Sequence, residues 1–190
     1  MPSAFHTHQT NPLSNFPQAW ERAGQVKLLV LDVDGVLTNG QVFLDGEGKE
    51  AFKAFDIQDG LGIKLLEQCG IPTAIITGRQ SKAVLARCQE LGIQHVHVGV
   101  ENKAIALDKL LSDLSLKRSD CAVMGDDWPD LKMMQRAGFI ICPAQAHEAV
   151  KAVAHLVTTR AGGNSAVREV CDLILKAQNR YENLLNQARA

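Results

Sequence analysis

Apolar residues fall in short runs separated by polar, glycine-bearing loops, and these runs alternate with stretches of helical period. The first run, residues 26–31, is rich in valine and leucine and predicts a buried strand. Residues 40–44 and 50–55 flank Asp45-Gly46-Glu47-Gly48-Lys49, a β-hairpin signal with a longer loop. Asp59 can cap a helix over residues 60–68, closed by Gly70 and Pro72. Strands over 73–77, 95–98, 121–124 and 139–142 are each followed by a helical pattern, over 81–91, 101–111, the residues up to 136, and 146–150. Residues 154–157 read as a last strand, and residues 165–190 as one long helix after the flexible Ala161-Gly162-Gly163-Asn164. Such β-then-α alternation calls for a three-layer α/β fold, with helices on both faces of a doubly wound parallel sheet. One domain is expected over residues 21–190, with the hairpin as a small insertion and no cap domain. Residues 1–20, rich in Pro, Asn, Ser and Thr and without periodicity, are expected to form a flexible arm.

Composition narrows the classes. The 190 residues carry 20 basic and 21 acidic side chains, a formal charge of −1, and neither sign runs in blocks, which argues against nucleic-acid or membrane partners. The five cysteines include no C-x-x-C pair and read as reduced thiols. No apolar run approaches the ~20 residues that span a bilayer, and no targeting pattern opens the chain, so a cytoplasmic protein is expected. His6 and His8 read as tail residues; His95 and His97 share a strand face but lack a third metal ligand nearby.

Four polar clusters fall at predicted strand ends: Asp32 with Asp34, Thr77 with Arg79, Lys103, and Asp126 with Asp127 and Asp130. In a doubly wound sheet such ends converge on one edge. Two anions two residues apart raise each other's cost of ionisation unless a cation intervenes, and Mg²⁺ would resolve that cost. The mixture suits phosphoryl transfer. Asp32 can attack phosphorus, Asp34 can protonate the leaving oxygen and later deprotonate water, and Lys103 and Thr77 can orient the phosphoryl oxygens.

These motifs, D-x-D-G-V-L-T, T-G-R, a lone Lys and G-D-D-x-x-D, resemble in order and spacing those of the haloacid dehalogenase superfamily of phosphatases, whose fold is Rossmann-like. Asp59-Gly60-Leu61-Gly62-Ile63, Ala74-Ile75-Ile76-Thr77-Gly78-Arg79, and Gly162-Gly163 followed by Ala166-Val167-Arg168-Glu169-Val170 are similar to the 3-deoxy-D-manno-octulosonate 8-phosphate phosphatase family. The resemblance implies a Mg²⁺-dependent homotetramer acting in lipopolysaccharide sugar synthesis. It implies Asp32 as nucleophile and metal ligand, Asp34 as acid/base and ligand through its carbonyl, and Asp126 as third ligand. Asp127 and Asp130 would stand behind them, orienting waters and Lys103. Substrate contacts would fall on Asp34, Asp56, Ile57, Gln58, Asp59, Gly60, Lys64, Gly78, Arg79, Arg87 and Lys103. Lys64 departs from the arginine usual there, and Asn164-Ser165 departs from the usual loop. The family places the hairpin at a subunit interface and the C-terminal tail over a neighbour's pocket.

Alternatives stay open at this point. A phosphatase for nine-carbon nonulosonic acid 9-phosphates would use the same groups, and an aspartate-phosphorylated signalling module would share the strand-end acids. Asp127 and Asp130 can also serve as caps for the helix after Pro129, and Lys64 and Arg87 as ordinary surface charges.

Overall fold

The computed structural model describes residues 18–190. In chain order they form α1 (Ala19–Gln25), β1 (Leu28–Leu31), β2 (Phe43–Leu44), β3 (Glu50–Phe52), α2 (Ile57–Gln68), β4 (Thr73–Ile76), α3 (Lys82–Leu91) and β5 (His95–His97). There follow α4 (Lys103–Asp113), β6 (Cys121–Met124), α5 (Trp128–Met134), β7 (Phe139–Cys142), α6 (Glu148–Lys151), β8 (Leu156–Val157), α7 (Ala166–Ala177) and α8 (Tyr181–Arg189). The expected arm lies outside the described residues up to 17; Ala19 and Trp20, assigned to it from sequence, already belong to α1.

Six strands pair in parallel in the order β5-β4-β1-β6-β7-β8, and β2 and β3 form the separate antiparallel hairpin. β1 is buried along its whole length because alternate residues enter opposite layers. Leu28 and Val30 pack with Leu107 and Leu110 of α4 and Met133 and Met134 of α5. Leu29 and Leu31 pack with Ile63 and Leu66 of α2, Val84 of α3, and Val170 and Ile174 of α7. Burying each of these leucines contributes roughly 2 kcal/mol, so packing on both faces favours β1 at the centre. With β4 on one side and β6 on the other, the C-terminal end of β1 is the switch point where such sheets bind ligands.

Two departures from the sequence reading have a clear physical cause. The cap of α2 is Asp56, whose Oδ1 accepts from the N–H groups of Gln58 at 2.6 Å and Asp59 at 3.1 Å. Asp59 instead sits inside the first turn, 1% exposed, and its Oδ1 accepts from the Arg168 N–H at 2.7 Å at the start of α7. The expected single helix over 165–190 is two helices. Asn179 takes φ +57°, the Arg180 N–H bonds the Leu175 carbonyl at 2.8 Å and the Asn179 N–H bonds the Lys176 carbonyl at 3.0 Å. That left-handed closure ends α7 and turns α8 back along the chain, with Tyr181 and Leu184 against the core.

Residues 162–165 reach back to the loop after β1. The Gly163 N–H bonds the Val36 carbonyl at 3.0 Å, and a β-carbon at Gly162 would collide with the Gly35 carbonyl. Close backbone contact is therefore why glycine stands at 162.

Burial raises the Asp59 carboxyl from 3.8 to about 6, and the neighbouring Asp56 charge adds to this. The folded chain thus keeps a proton that the unfolded chain releases, so this group contributes stability at low pH that is lost as pH rises through about 6. Asp59→Asn removes that titration. The stability of the parent chain relative to the variant is expected to fall by about 2 kcal/mol between roughly pH 4 and 7. Urea unfolding midpoints across that range measure it, and a difference that stays flat contradicts it.

Candidate active site

Lys103 is the first residue of α4, just after the cap Asn102, whose side chain accepts from the Ile105 N–H at 3.2 Å. That start aims the lysine across the sheet edge. Its Nζ donates to Asp32 Oδ1 at 2.7 Å and to Asp130 Oδ1 at 2.6 Å. The three residues are 8%, 5% and 1% exposed, so these are buried, charge-assisted bonds. Asp130 is committed on its other side as well, because Oδ2 accepts from the N–H groups of Asp126 at 3.1 Å and Asp127 at 3.4 Å. Asp127 is exposed and caps α5 through the Trp128 N–H at 2.8 Å. Asp127 and Asp130 thus cap the start of α5, and Asp130 also accepts from Lys103.

Asp126 follows β6 and lies directly over the loop after β1. A β-carbon on Gly35, which takes φ +88°, would collide with its carboxylate. Oxygen atoms of Asp32, Asp126 and Asp130 lie within 4.8 Å of one another, the one such acidic, histidine or cysteine cluster found among the described residues. Three carboxylates face one ammonium, and the imbalance bears on Asp32 and Asp126. Burial, reinforced by Asp130 and opposed by Lys103, raises Asp32 to about 6. Burial and then the charges of Asp130, Asp32 and Asp127 raise Asp126 to about 7. Burial also opposes the Lys103 charge, yet Asp32 and Asp130 outweigh it and hold its pKa above the usual lysine value. The uncompensated, oxygen-only donor set of Asp32 and Asp126 fits a hard divalent cation.

Asp34 lies on the same loop, which Thr38 ties together: its Oγ1 accepts from the Gly35 and Gly40 N–H groups at 3.3 and 3.2 Å. One Asp34 oxygen pairs with Lys53, a residue that the sequence reading missed. Phe52 ends β3 and Lys53 follows it, facing the other way, and the polarity is the reverse of the usual one. Phe52 is 56% exposed and stacks on Phe43, while the Lys53 side chain is 2% exposed. Lys53 also pairs with Glu50 at 3.1 Å, and Glu50 accepts from the Ser81 hydroxyl. Arg79 is half-exposed, 3.8 Å from Asp34 and 3.7 Å from Glu50, so it adds little beyond screened attraction. Thr77 follows β4 with its N–H on the His97 carbonyl at 2.9 Å, and Gly78 links it to Arg79.

The remaining predicted substrate residues form a second group around the first turn of α2. Arg87 lies across Gly60, donating to the Asp56 carbonyl at 3.1 Å and to Glu90 at 2.8 Å. The Ser165 hydroxyl faces Asp56 at 3.1 Å and Gln58 at 3.2 Å, so the departure at Ser165 produces a junction between α2 and α7. Ile57 and Lys64 are exposed, whereas Asp59 turns its carboxylate to α7 rather than outward. Loop 162–165 joins this group to the first one. Gln145, also missed from sequence, donates to the Gly35 carbonyl at 2.6 Å and accepts from the Gly162 N–H at 2.8 Å.

A profile of haloacid dehalogenase-like hydrolases matches residues 96–170. A 3-deoxy-D-manno-octulosonate 8-phosphate phosphatase of Salmonella typhimurium is 42% identical over 172 residues, covering 90% of this chain and 91% of the relative. The crystal structure of the phosphatase of that name from Moraxella catarrhalis, in complex with magnesium, phosphate and KDO, matches with a TM-score of 0.86. That likeness carries 47% identity and covers 90% of this chain and 97% of the other. A cobalt-bound deoxy-D-mannose-octulosonate 8-phosphate phosphatase from Haemophilus influenzae matches with a TM-score of 0.82 and 36% identity, over 84% of this chain and 93% of that one. Sequence likeness over nine-tenths of the chain and a shared fold agree with the site's geometry: the chain belongs to the 3-deoxy-D-manno-octulosonate 8-phosphate phosphatase family of the haloacid dehalogenase superfamily.

Proposed function

We propose that the chain is a Mg²⁺-dependent phosphatase that hydrolyses 3-deoxy-D-manno-octulosonate 8-phosphate to the free sugar acid and phosphate, in lipopolysaccharide sugar biosynthesis. The observation that carries this reading is the cluster of buried Asp32, Lys103 and Asp130 with half-buried Asp126 at the switch point of the sheet. The substrate is supported by the identity to the named phosphatases and by the sugar and phosphate held in the Moraxella structure.

In this reading an Asp32 oxygen attacks phosphorus while the bond from phosphorus to the sugar oxygen breaks, and Asp34 delivers a proton to that oxygen. Asp34 then takes a proton from water as the water attacks the aspartyl phosphate, which releases phosphate and restores Asp32. Lys103 holds Asp32 in line for both displacements and spreads positive charge toward the phosphoryl group. Asp32, Asp126 and the Asp34 carbonyl would hold Mg²⁺, which when bound supplies charge that offsets the phosphoryl oxygens. Asp130 keeps Lys103 and the Asp126 backbone in place, and Thr77 and Gly78 border the phosphate.

Arg79, Arg87 and Lys64 provide cationic groups for a ligand that carries a carboxylate besides its phosphate. Assembly as a homotetramer through the hairpin is supported by exposed Val42, Leu44 and Phe52, with Ile57 and Leu61 on the neighbouring helix α2. Placement of the C-terminal tail near a neighbouring subunit's site rests on the family resemblance; within this chain α8 packs on α7. Cytoplasmic location is supported by five unpaired cysteines. No helix among the described residues is long and apolar enough to cross a membrane.

Asp32→Asn is expected to lower kcat by at least about 10³-fold while the unfolding midpoint stays within a few degrees, because an amide cannot form the acyl phosphate. Near-parental phosphate release by that variant would remove Asp32 from the nucleophile's role. Chelation followed by dialysis is expected to abolish turnover, with Mg²⁺ restoring it; activity that persists through chelation would contradict the cation site between Asp32 and Asp126. On purified substrates, kcat/KM for the eight-carbon phosphate is expected to exceed that for nine-carbon nonulosonic acid 9-phosphates by about tenfold or more. The reverse order would transfer the substrate assignment to the nine-carbon class.

A further inference from the structure

We propose that Lys53 is the positioning residue for Asp34, fixing its carboxyl for proton delivery to the leaving sugar oxygen; this rests on the acid/base reading of Asp34 given above. A lysine next to a short exposed hairpin has solvent within reach, and burying its ammonium is costly unless partners compensate. Here the side chain is 2% exposed, paired with Asp34 and with Glu50 at 3.1 Å, while its neighbour Phe52 faces outward. The inversion of the usual polarity identifies Asp34 and Glu50 as what holds Lys53 inward.

The far end of this pair is anchored. Glu50 accepts from the Ser81 hydroxyl, and Ser81 also caps α3 through the Val84 N–H at 3.3 Å. The chain of contacts therefore runs from a rigid helix start, through the hairpin, to the carboxyl of Asp34. Asp34 itself lies beyond the end of β1 with its side chain 23% exposed, and its other charged neighbour, Arg79, is 3.8 Å away and half-exposed. Lys53 is thus the close, buried partner of this loop carboxyl. General acid catalysis is sensitive to displacements of a fraction of an ångström, so the pairing acts on the step in which Asp34 gives its proton.

That step can be isolated by leaving group. A sugar alkoxide needs the proton, whereas p-nitrophenolate departs as a stable anion without it, and kcat/KM reports only on events up to aspartyl-phosphate formation. The parent protein, Asp34→Asn, Lys53→Met and Lys53→Arg are each assayed with Mg²⁺ on the eight-carbon sugar phosphate and on p-nitrophenyl phosphate. The quantity read is the ratio of the two kcat/KM values. Partial unfolding lowers both rates together and leaves the ratio unchanged; if Lys53→Met yields no soluble protein, Lys53→Gln is read on the same ratio.

Lys53→Met is expected to lower the ratio by about tenfold or more, in the direction set by Asp34→Asn, and Lys53→Arg to bring it back within about threefold of the parent. A ratio that stays at the parental value in the Met or Gln variant while Asp34→Asn lowers it overturns the role of Lys53 and leaves the acid/base reading standing. An unchanged ratio in Asp34→Asn overturns both.

Discussion

The ammonium of Lys103, held between Asp32 and Asp130, is the contact on which the site depends. Three charged groups, each less than a tenth exposed, sit where desolvation would disfavour all of them singly. Removing the ammonium from such a buried set costs about 3–5 kcal/mol, because the carboxylates left behind have no compensation. The arrangement also sets chemistry apart from structure. Lys103 and two backbone N–H groups saturate Asp130, which becomes a fixed post, whereas Asp32 and Asp126 retain capacity for a cation and a phosphoryl group. A single lysine cannot neutralise three carboxylates, so the same cluster that is rigid is also short of positive charge.

Rigidity reaches this cluster from every loop at the sheet edge. Gly35 gives room to the Asp126 carboxylate, Gln145 clamps the Gly35 carbonyl and the Gly162 N–H, and loop 162–165 continues into the junction of α2 with α7. The hairpin adds a fourth support through Lys53. Val42, Leu44 and Phe52 stand in solvent on it, while the lysine just after β3 meets Asp34. One two-stranded element thereby carries exposed apolar side chains and supports the site.

Much of this was legible because it is local. Valine- and leucine-rich runs have one stable use in a chain of this length, and the alternation of Leu28 and Val30 with Leu29 and Leu31 follows from the two-residue repeat of a strand. Asp32, Lys103, Asp126 and Asp130 could be brought together on paper because parallel strands deliver their ends to one edge. What was misread depends on partners distant in sequence. Asp56 and Asp59 are three residues apart and equally able to cap α2; the contact of Asp59 with Arg168, over a hundred residues away, decides between them. Asn179 offered a helix stop that the helical period of its neighbours concealed. Lys53 reads as an ordinary outward residue until the fold sets it against Asp34.

The order of elements, the parallel sheet, the identities of the strand-end acids and the family pattern were therefore determined by sequence alone, since propensity, period and spacing are properties of neighbours along the chain. Tertiary structure alone decided which carboxylates share a lysine, which way the hairpin turns its lysine and its phenylalanine, and which glycines must accept another backbone. Those outcomes depend on desolvation and on contact between segments far apart in sequence, and no local pattern records the cost of burying a charge until its partner arrives.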